Sequence, residues 1–289
     1  MNSRLLDAPE QPVPPTRRGR TTPMWTRIAV IVAAVVSVGA AVLVAIAAEG
    51  RTSMPVGDLP GWKQVLAEDF STPAALGEVG TVYGQSLRGY SDAKDTSGHG
   101  TYSPDSVLSV SDGVLDFYLH TQDGEPRVAA PVIDDYKGQT YGRYSVRFRA
   151  DHIPGYKIAF LLWPLSNDWN EGEIDWPEGD LNGRMSPASA IKGSLSGGRV
   201  SVDPPTRVFS STDSSGWHIA TTEWTPGSVK WFWDGALVGQ TTVPAGVPTT
   251  PFRWTLQAET ATDGPAPLPG TAGHLQVDWV SQYAYDPKR

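Results

Sequence analysis

The sequence has no cysteine among its 289 residues, which excludes a disulfide framework and any cysteine-ligated metal site. Positive charge is also scarce: 23 lysines and arginines stand against 31 aspartates and glutamates, a formal net charge of −8. A large basic surface for nucleic acid is therefore not expected. After residue 50 the chain lacks a long amphipathic helical pattern, an internal linker and a repeat of fixed period, so neither a helical nor a repeat architecture is expected.

Turn-forming and aromatic residues are abundant instead. The chain contains 30 glycines, 25 prolines and 11 tryptophans. Glycine and proline at this level mark many turns, which favours an all-β sandwich or barrel. An acidic protein rich in tryptophan suits a neutral partner, and sugars fit because their apolar faces stack on aromatic rings.

The N-terminal region carries a membrane or export signal. Residues 28–48 form an uncharged apolar run of 21 residues, close to the ~20 that cross a bilayer as one helix. Five arginines and two acids in residues 1–27 predict a cytoplasmic, disordered N-terminal segment and an extracellular remainder. A cleaved signal peptide is the alternative, because Ala45-Ile46-Ala47 resembles a cleavage site. In that case the protein is secreted rather than anchored as a single-pass membrane protein.

The remaining chain, after a linker over 49–57, predicts one all-β domain over 58–289. Short runs with alternating apolar residues occupy 107–120, 141–150, 229–243 and 274–285. Ser111-Asp112-Gly113 and Asp234-Gly235 interrupt two of these runs and predict hairpin turns. The run KIAFLLWPL at 157–165 is almost entirely apolar, as expected for a strand that is buried on both faces.

Three acids in EGEIDWPEGD, residues 171–180, form the most informative cluster. In a strand Glu173 and Asp175 lie on one face, whereas Glu178 points to the other face by strict alternation. One extra residue, a β-bulge at Pro177, would return Glu178 to the first face, and proline is common at bulges. The pattern therefore predicts a bulged strand with three aligned carboxyl groups.

Such a cluster suits cleavage of a glycosidic bond. One carboxylate must be ionised to attack the anomeric carbon, while another must be protonated to donate to the leaving oxygen. The middle carboxyl would retain a proton between its neighbours. An acidic surface loop and a calcium site remain alternatives. The preceding apolar run and the nearby Trp163, Trp169 and Trp176 favour a binding cleft.

The stretch LLWPLSNDWNEGEIDWPEGD resembles the active-site strand of glycoside hydrolase family 16, whose pattern E-[aliphatic]-D-x-x-E follows a W-P region. The likeness covers most of residues 62–285 through VLAEDF, YGRYSVRFRA and GWHIATTEWTPGSVKWFWDG. It implies a concanavalin A-like jelly-roll β-sandwich with a glycan cleft. By the same resemblance Glu173 is the nucleophile, Asp175 its assisting carboxylate and Glu178 the general acid/base, while Trp163 and Trp169 stack on sugar rings.

Several positions depart from that family or leave their role open. Ser145 stands where the family often has glutamate, and the segments KGSLSGG and WTLQAET differ from those of many β-glucanases. These differences leave the substrate open between a β-glucan and a galactan. The further substrate-binding candidates are Trp176, His218, Trp254, Gln257 and Glu259. The alternative is a structural role for His218 and Trp254, and plain surface polarity for Gln257 and Glu259.

We therefore expect a retaining, endo-acting glycoside hydrolase that cleaves a β-linked polysaccharide outside the membrane. No cofactor is required and no metal ligands are assigned, although the resemblance is compatible with a structural calcium ion. The expected protein is a monomer, has no nucleic-acid partner and contacts the membrane only through its N-terminal helix. The alternatives are a lectin-like binding module, a transglycosylase that remodels wall glycan and a calcium-dependent scaffold domain.

Overall fold

The computed structural model describes residues 53–192, 201–204 and 212–289. The basic segment 1–27, the apolar segment 28–48 and the first residues of the linker lie outside the described residues. Most of the segment KGSLSGG lies outside them as well. Within the described ranges, no helix is both long enough and apolar enough to cross a membrane.

Strands make up most of the described part of the chain, and its two α-helices are single turns, α1 (Val79–Val82) and α2 (Pro104–Val107). Short 3-10 turns occupy Gly84–Leu87, Trp169–Glu171 and Pro244–Gly246. The strands are β1 (Trp62–Glu68), β2 (Thr101–Tyr102), β3 (Leu108–Ser111), β4 (Val114–Gln122), β5 (Glu125–Val128), β6 (Gly142–Ala150), β7 (Tyr156–Pro164), β8 (Glu173–Asp180), β9 (Ser186–Ala190), β10 (Val202–Asp203), β11 (His218–Thr225), β12 (Ser228–Trp233), β13 (Ala236–Thr241), β14 (Phe252–Thr260) and β15 (Gly273–Tyr285).

The strands form two sheets. The larger has the order β13-β12-β11-β6-β15-β4-β5-β2, with β1 also paired to β15 and β3 to β4. The smaller has the order β10-β9-β8-β7-β14. Every pair of these strands is antiparallel except β2 with β5. The predicted all-β sandwich is therefore confirmed.

The core lies between the two sheets and is formed by alternate residues of each. Phe148 of β6 meets Phe160 of β7 edge-on, with ring centroids 5.6 Å apart. Tyr144 of β6 meets Trp254 of β14 in the same way at 5.5 Å. Because β6 belongs to the larger sheet and β7 and β14 to the smaller, these aromatic pairs join the two layers.

Both hairpin turns predicted from the sequence are present. Asp112 and Gly113 have φ values of 53° and 74° between β3 and β4, and Asp234 and Gly235 have 49° and 80° between β12 and β13. Two-residue hairpin loops favour turns with positive φ at both positions, where aspartate and glycine are well tolerated. The second turn also places the Asp234 carboxylate at the start of β11.

Candidate active site

A β-bulge aligns the acidic residues of β8. Asp175 pairs with Ala188 of β9 and Glu178 pairs with Ser186, so three residue steps on β8 match two on β9. The pairing of β8 with β7 shows the same extra residue. The bulge contains Pro177, which follows Trp176 through a cis peptide bond. The predicted bulge is confirmed, and Glu178 regains the face of the sheet that Asp175 occupies.

Trp176 lies on the opposite face of β8, in the core. Its ring meets Trp233 edge-on at 5.7 Å, and its Nε1 donates to the backbone oxygen of Phe232 at 3.0 Å. The extra residue follows Trp176, so Trp176 keeps the core-facing orientation of Ile174 two positions earlier. The prediction that Trp176 binds substrate is therefore wrong.

Trp254 is also a core residue. It is 3% exposed, and its ring packs against Tyr144 of the other sheet. Strand β14 pairs with β7 without a register shift, so Arg253, Thr255, Gln257 and Glu259 share the face opposite to Trp254. This corrects the substrate-binding prediction for Trp254 and identifies the face of β14 that adjoins the carboxyl groups.

Two tryptophans lie beside Glu173. The rings of Trp163 and Trp169 are 6.1 Å apart at an angle of 31°, and Trp169 is 39% exposed. The indole Nε1 of Trp169 donates to Glu173 Oε2 at 2.7 Å. The short turn that holds Trp169 starts at Asp168, whose side chain accepts from the backbone N–H of Asn170 at 3.0 Å. An exposed aromatic ring is therefore fixed next to the first carboxylate of the cluster.

A buried lysine, which the sequence reasoning missed, contacts the last carboxylate of the cluster. Lys157 of β7 is 8% exposed, and its Nζ lies 3.0 Å from Glu178 Oε1 and 3.6 Å from Glu259 Oε1. The only sequence signal is that a lysine occupies an otherwise apolar strand. Such a residue needs a buried anionic partner.

Glu259 is buried and hydrogen-bonded to other protein groups, so substrate cannot reach it in this conformation. It is 1% exposed, and its Oε2 accepts from Tyr102 Oη and from the backbone N–H of Thr96, both at 3.3 Å. The loop that carries Thr96 is held to the end of β14 by Asp95, which accepts from the Thr260 backbone N–H at 2.8 Å. The substrate-binding prediction for Glu259 is corrected for this reason.

Gln257 keeps a position that suits its predicted role. It is partly exposed and pairs with Ala159 of β7, which in turn pairs with Glu178 of β8. With strands spaced ~4.8 Å apart, the α-carbons of Gln257 and Glu178 are about 10 Å apart across a small alanine. Its contact with a sugar stays a prediction.

His218 lies at the start of β11, in the larger sheet. Its Nδ1 is 2.7 Å from Asp234 Oδ2, and its ring stacks on Trp233 at 4.6 Å. Asp234 also accepts from the backbone N–H of Ile219 at 2.8 Å. These are the contacts of a structural histidine at a strand start, which was the alternative to a substrate-binding role.

Burial and mutual repulsion perturb the two upstream carboxyl groups. Burial raises the pKa of Glu173 to about 7, and the nearby Glu178 charge adds to this, while the hydrogen bond from Trp169 opposes it. Burial together with the charges of Glu173 and Glu178 raises the pKa of Asp175 well above its ordinary value. Asp175 Oδ1 is buried without a hydrogen-bond partner among the described residues. The raised pKa favours a protonated Asp175, as expected for the middle carboxyl group of the cluster.

Lys157 remains charged in this environment. Burial by itself lowers the pKa of a lysine, but the carboxylates of Glu178 and Glu259 outweigh it, and the pKa of Lys157 is raised. The acidic cluster thus contains one fixed cation. Among the described residues, no group of three or more histidine, aspartate or glutamate side chains is arranged to hold a metal ion.

A buried arginine organises the tryptophan end of the site and was also missed. Arg253 is 3% exposed and pairs in register with Trp163. Its guanidinium donates to Tyr90 Oη at 2.9 Å, to Asn167 Oδ1 at 2.8 Å and to the Pro164 backbone oxygen at 3.0 Å. It therefore ties the loop that contains Asn167, just ahead of Trp169, to the sheet.

Comparisons with known proteins identify the family of this chain. The sequence model of the glycosyl hydrolases family 16 matches residues 97–281. The endo-1,3-1,4-beta-glycanase EglC of Rhizobium meliloti (strain 1021) is 27% identical over 200 residues, which cover 64% of this chain and 42% of EglC. The chain thus spans less than half the length of that relative.

Two solved structures share the fold at low sequence identity. The structure of SCLam, described as a non-specific endo-beta-1,3(4)-glucanase, aligns with a TM-score of 0.66 and 15% identity over 80% of this chain and 94% of that one. A GlcNAc-alpha-1-4-Gal-releasing endo-beta-galactosidase from Clostridium perfringens aligns with a TM-score of 0.57 and 19% identity over 81% and 66%. At these identities the likeness establishes the fold alone.

Proposed function

Because the chain belongs to the glycosyl hydrolases family 16, we propose that it is a retaining, endo-acting glycoside hydrolase that cleaves a β-linked polysaccharide. In this proposal Glu173 is the nucleophile, Glu178 is the general acid/base and Asp175 assists Glu173. The observation that supports it most strongly is the bulge in β8, which brings three carboxyl groups onto one face beside the exposed ring of Trp169.

The proposed reaction has two steps. Ionised Glu173 attacks the anomeric carbon while Glu178 donates its proton to the departing glycosidic oxygen, which leaves a glycosyl ester on Glu173. Glu178, now a carboxylate, then removes a proton from a water molecule that attacks the same carbon and releases Glu173. The second step returns to Glu178 the proton that the first step gave to the leaving group, and it frees Glu173, so the enzyme is unchanged after a full cycle.

The environments of Glu173 and Asp175 support the parts proposed for them. A pKa of about 7 leaves a substantial ionised fraction of Glu173 near neutral pH, and the Trp169 indole donates to that carboxylate. A protonated Asp175 can donate a hydrogen bond within the cluster without adding a further negative charge beside ionised Glu173. Trp163 and Trp169 present aromatic surface on which a sugar ring can stack.

For the substrate we propose a β-glucan with β-1,3 or mixed β-1,3 and β-1,4 linkages. The support is the likeness to EglC, which is named an endo-1,3-1,4-beta-glycanase, and to SCLam, which is described as a non-specific endo-beta-1,3(4)-glucanase. A galactan is the second candidate, because an endo-beta-galactosidase shares the same fold.

We also propose that the domain acts outside the cell membrane. The support is the uncharged apolar segment 28–48 behind an arginine-rich N-terminus. Fractionation of cells that express the full chain would show it in the membrane pellet if the segment is an anchor, or in the medium if it is a cleaved signal. Retention of the full chain in the soluble cytoplasm would contradict the proposal.

The functional proposal is tested by release of reducing sugar from a panel of β-1,3-glucan, mixed-linkage glucan, β-1,4-glucan and galactan. Glu173→Gln and Glu178→Gln serve as matched variants, because each replaces a carboxyl group by an amide of the same shape. Cleavage by the wild type that both variants lose is expected. Tight binding without release, unchanged in either variant, would instead indicate a lectin-like module, and products longer than the substrate would indicate a transglycosylase.

A further inference from the structure

Lys157 and Glu259 form a buried ion pair directly behind the acid/base candidate. The Lys157 Nζ lies between two carboxylates, 3.0 Å from Glu178 and 3.6 Å from Glu259. Strand pairing fixes this arrangement, since Lys157 of β7 is the direct partner of Glu259 on β14, while Glu178 lies on β8, the other neighbour of β7. The lysine therefore bridges the two strands on either side of it.

The contacts of Glu259 are with Lys157 and other protein groups, which leaves it no access to substrate. Its second oxygen is taken by Tyr102 Oη and the Thr96 backbone N–H, and the side chain is almost fully buried. An unpaired buried carboxylate is costly, so the pairing with Lys157 also compensates Glu259 itself. Removal of Lys157 would leave the Glu259 charge uncompensated, whereas removal of Glu259 would leave Lys157 with Glu178 as its remaining close carboxyl partner.

A cation at this position has two opposite effects on a general acid. It orients the Glu178 carboxyl through the 3.0 Å contact, but its charge also favours the ionised form, which cannot donate a proton. A second carboxylate on the far side of the cation reduces that charge effect while leaving the contact in place. Glu259 occupies this position.

We propose that Lys157 and Glu259 act together as a positioning pair, which holds Glu178 in place and sets the pH range over which the carboxyl cluster is active. This inference rests on the proposed function, because it assigns roles relative to Glu178 as general acid. Neither residue contacts the reacting atoms in the proposal; Lys157 acts through Glu178, and Glu259 acts through Lys157.

The proposal predicts shifts of opposite sign for the two residues. Lys157→Met removes the positive charge, so the carboxyl cluster keeps its protons to higher pH and the pH profile of kcat/KM moves to higher pH. Glu259→Gln removes the second carboxylate that offsets the lysine charge, so the cluster loses its protons at lower pH and the profile moves to lower pH. An opposite charge within ~4–6 Å moves a carboxyl titration by about 1–3 units, so a shift of roughly one unit is expected for Lys157→Met.

Other charged groups face the same cluster and do not change these signs. They act on the profile in the wild type and in the variants alike, because neither substitution removes them. The groups are Glu173 and Asp175 on β8, the neutral Tyr102 on β2, whose Oη donates to Glu259, and Asp95 in the loop before β2, whose charge acts on Tyr102. Because the carboxyl groups titrate together, the measured limbs belong to the cluster as a whole.

The experiment compares pH profiles of kcat/KM for the full chain as wild type, Lys157→Met, Glu259→Gln and the Lys157→Met/Glu259→Gln double variant. The substrate is the polysaccharide that the wild type cleaves in the panel above. The double variant removes both members of the buried pair, so it covers the case in which a single variant does not fold. Its profile should move to higher pH, because of the two charges removed that of Lys157 is the nearer to Glu178.

Glu223→Gln is the matched control. Glu223 forms a partly buried ion pair with Arg143 at 3.1 Å on the larger sheet, so its loss removes a comparable interaction away from the carboxyl cluster. Opposite shifts for the two single variants, both larger than the shift of this control, are expected.

Profiles of folded, active variants that coincide with the control would overturn the inference and leave the proposed function intact. Shifts of the same sign in both single variants, or complete loss of cleavage in folded variants, would also overturn it. An inactive wild type would overturn the proposed function and this inference together, so the two failures are distinguishable.

Discussion

Glu173→Gln is expected to change how the free energy of unfolding depends on pH, which tests the environment of this carboxyl group without any substrate. Burial raises the pKa of Glu173 to about 7 in the folded protein, from a reference value of 4.5. Between these values the folded state binds a proton that the unfolded state has released. The stability contributed by this proton is fully present below about pH 4.5 and is lost as the pH rises through 7.

The expected magnitude follows from the size of the shift. Each unit of pKa difference is worth about 1.4 kcal/mol, so the contribution of Glu173 falls by about 2.5 kcal/mol between pH 5 and pH 8. Glutamine keeps the shape of the side chain and an oxygen that can accept from Trp169, but it cannot titrate. The free energy of unfolding of the variant should therefore lack this fall.

The assay is urea unfolding of residues 52–289 at pH 5 and pH 8, for the wild type, Glu173→Gln and the control Glu223→Gln. The wild type and the control should both lose stability over this range, and the difference between wild type and Glu173→Gln should change by about 2–3 kcal/mol. Equal losses in wild type and Glu173→Gln would refute the reasoning, since they would show that Glu173 titrates alike in the folded and unfolded states.

Four further substitutions test the core position of Trp176, the substrate contact of Trp169 and the polar contacts of Trp169 and Arg253. Trp176→Ala should reduce the free energy of unfolding by about 3–5 kcal/mol because it empties a core position. Trp169→Ala should instead reduce it by under about 1 kcal/mol and weaken oligosaccharide binding. Urea unfolding measures the first effect and binding calorimetry the second. Trp169→Phe removes the hydrogen bond that lowers the pKa of Glu173, so the acidic limb of the kcat/KM profile should move to higher pH, and an unmoved limb would contradict the assigned contact. Arg253→Met releases Tyr90 and Asn167 and should raise KM by a larger factor than it lowers kcat. Steady-state kinetics measures both constants, and a fall in kcat as large as the rise in KM would contradict this prediction.

The sequence predicted those parts of the fold that local rules control. Asp-Gly pairs marked both hairpin turns because few other residues accept positive φ at two successive positions. The spacing of Glu173, Asp175 and Glu178, together with Pro177, required a bulge if all three were to share a face. The pairing of β8 with both of its neighbours shows that bulge.

The failed predictions concern residues whose role depends on distant parts of the chain. Strand β14 is buried on both faces, so its alternation could not show which face holds Trp254. Glu259 is covered by a loop more than 150 residues earlier in the chain, which no local pattern reveals. Lys157 and Arg253 were missed because each is a single charged residue in an otherwise apolar or mixed strand, and its partners come from other strands and loops.

The most direct test of the central claim is proton NMR of the first product formed when the wild type cleaves its polysaccharide. Attack by Glu173 followed by attack of water inverts the anomeric carbon twice, so the first signal should be that of the β-anomer, with the α-anomer appearing later by mutarotation. An α-anomer that appears first would show a single displacement by water and would contradict the assignment of Glu173 as nucleophile.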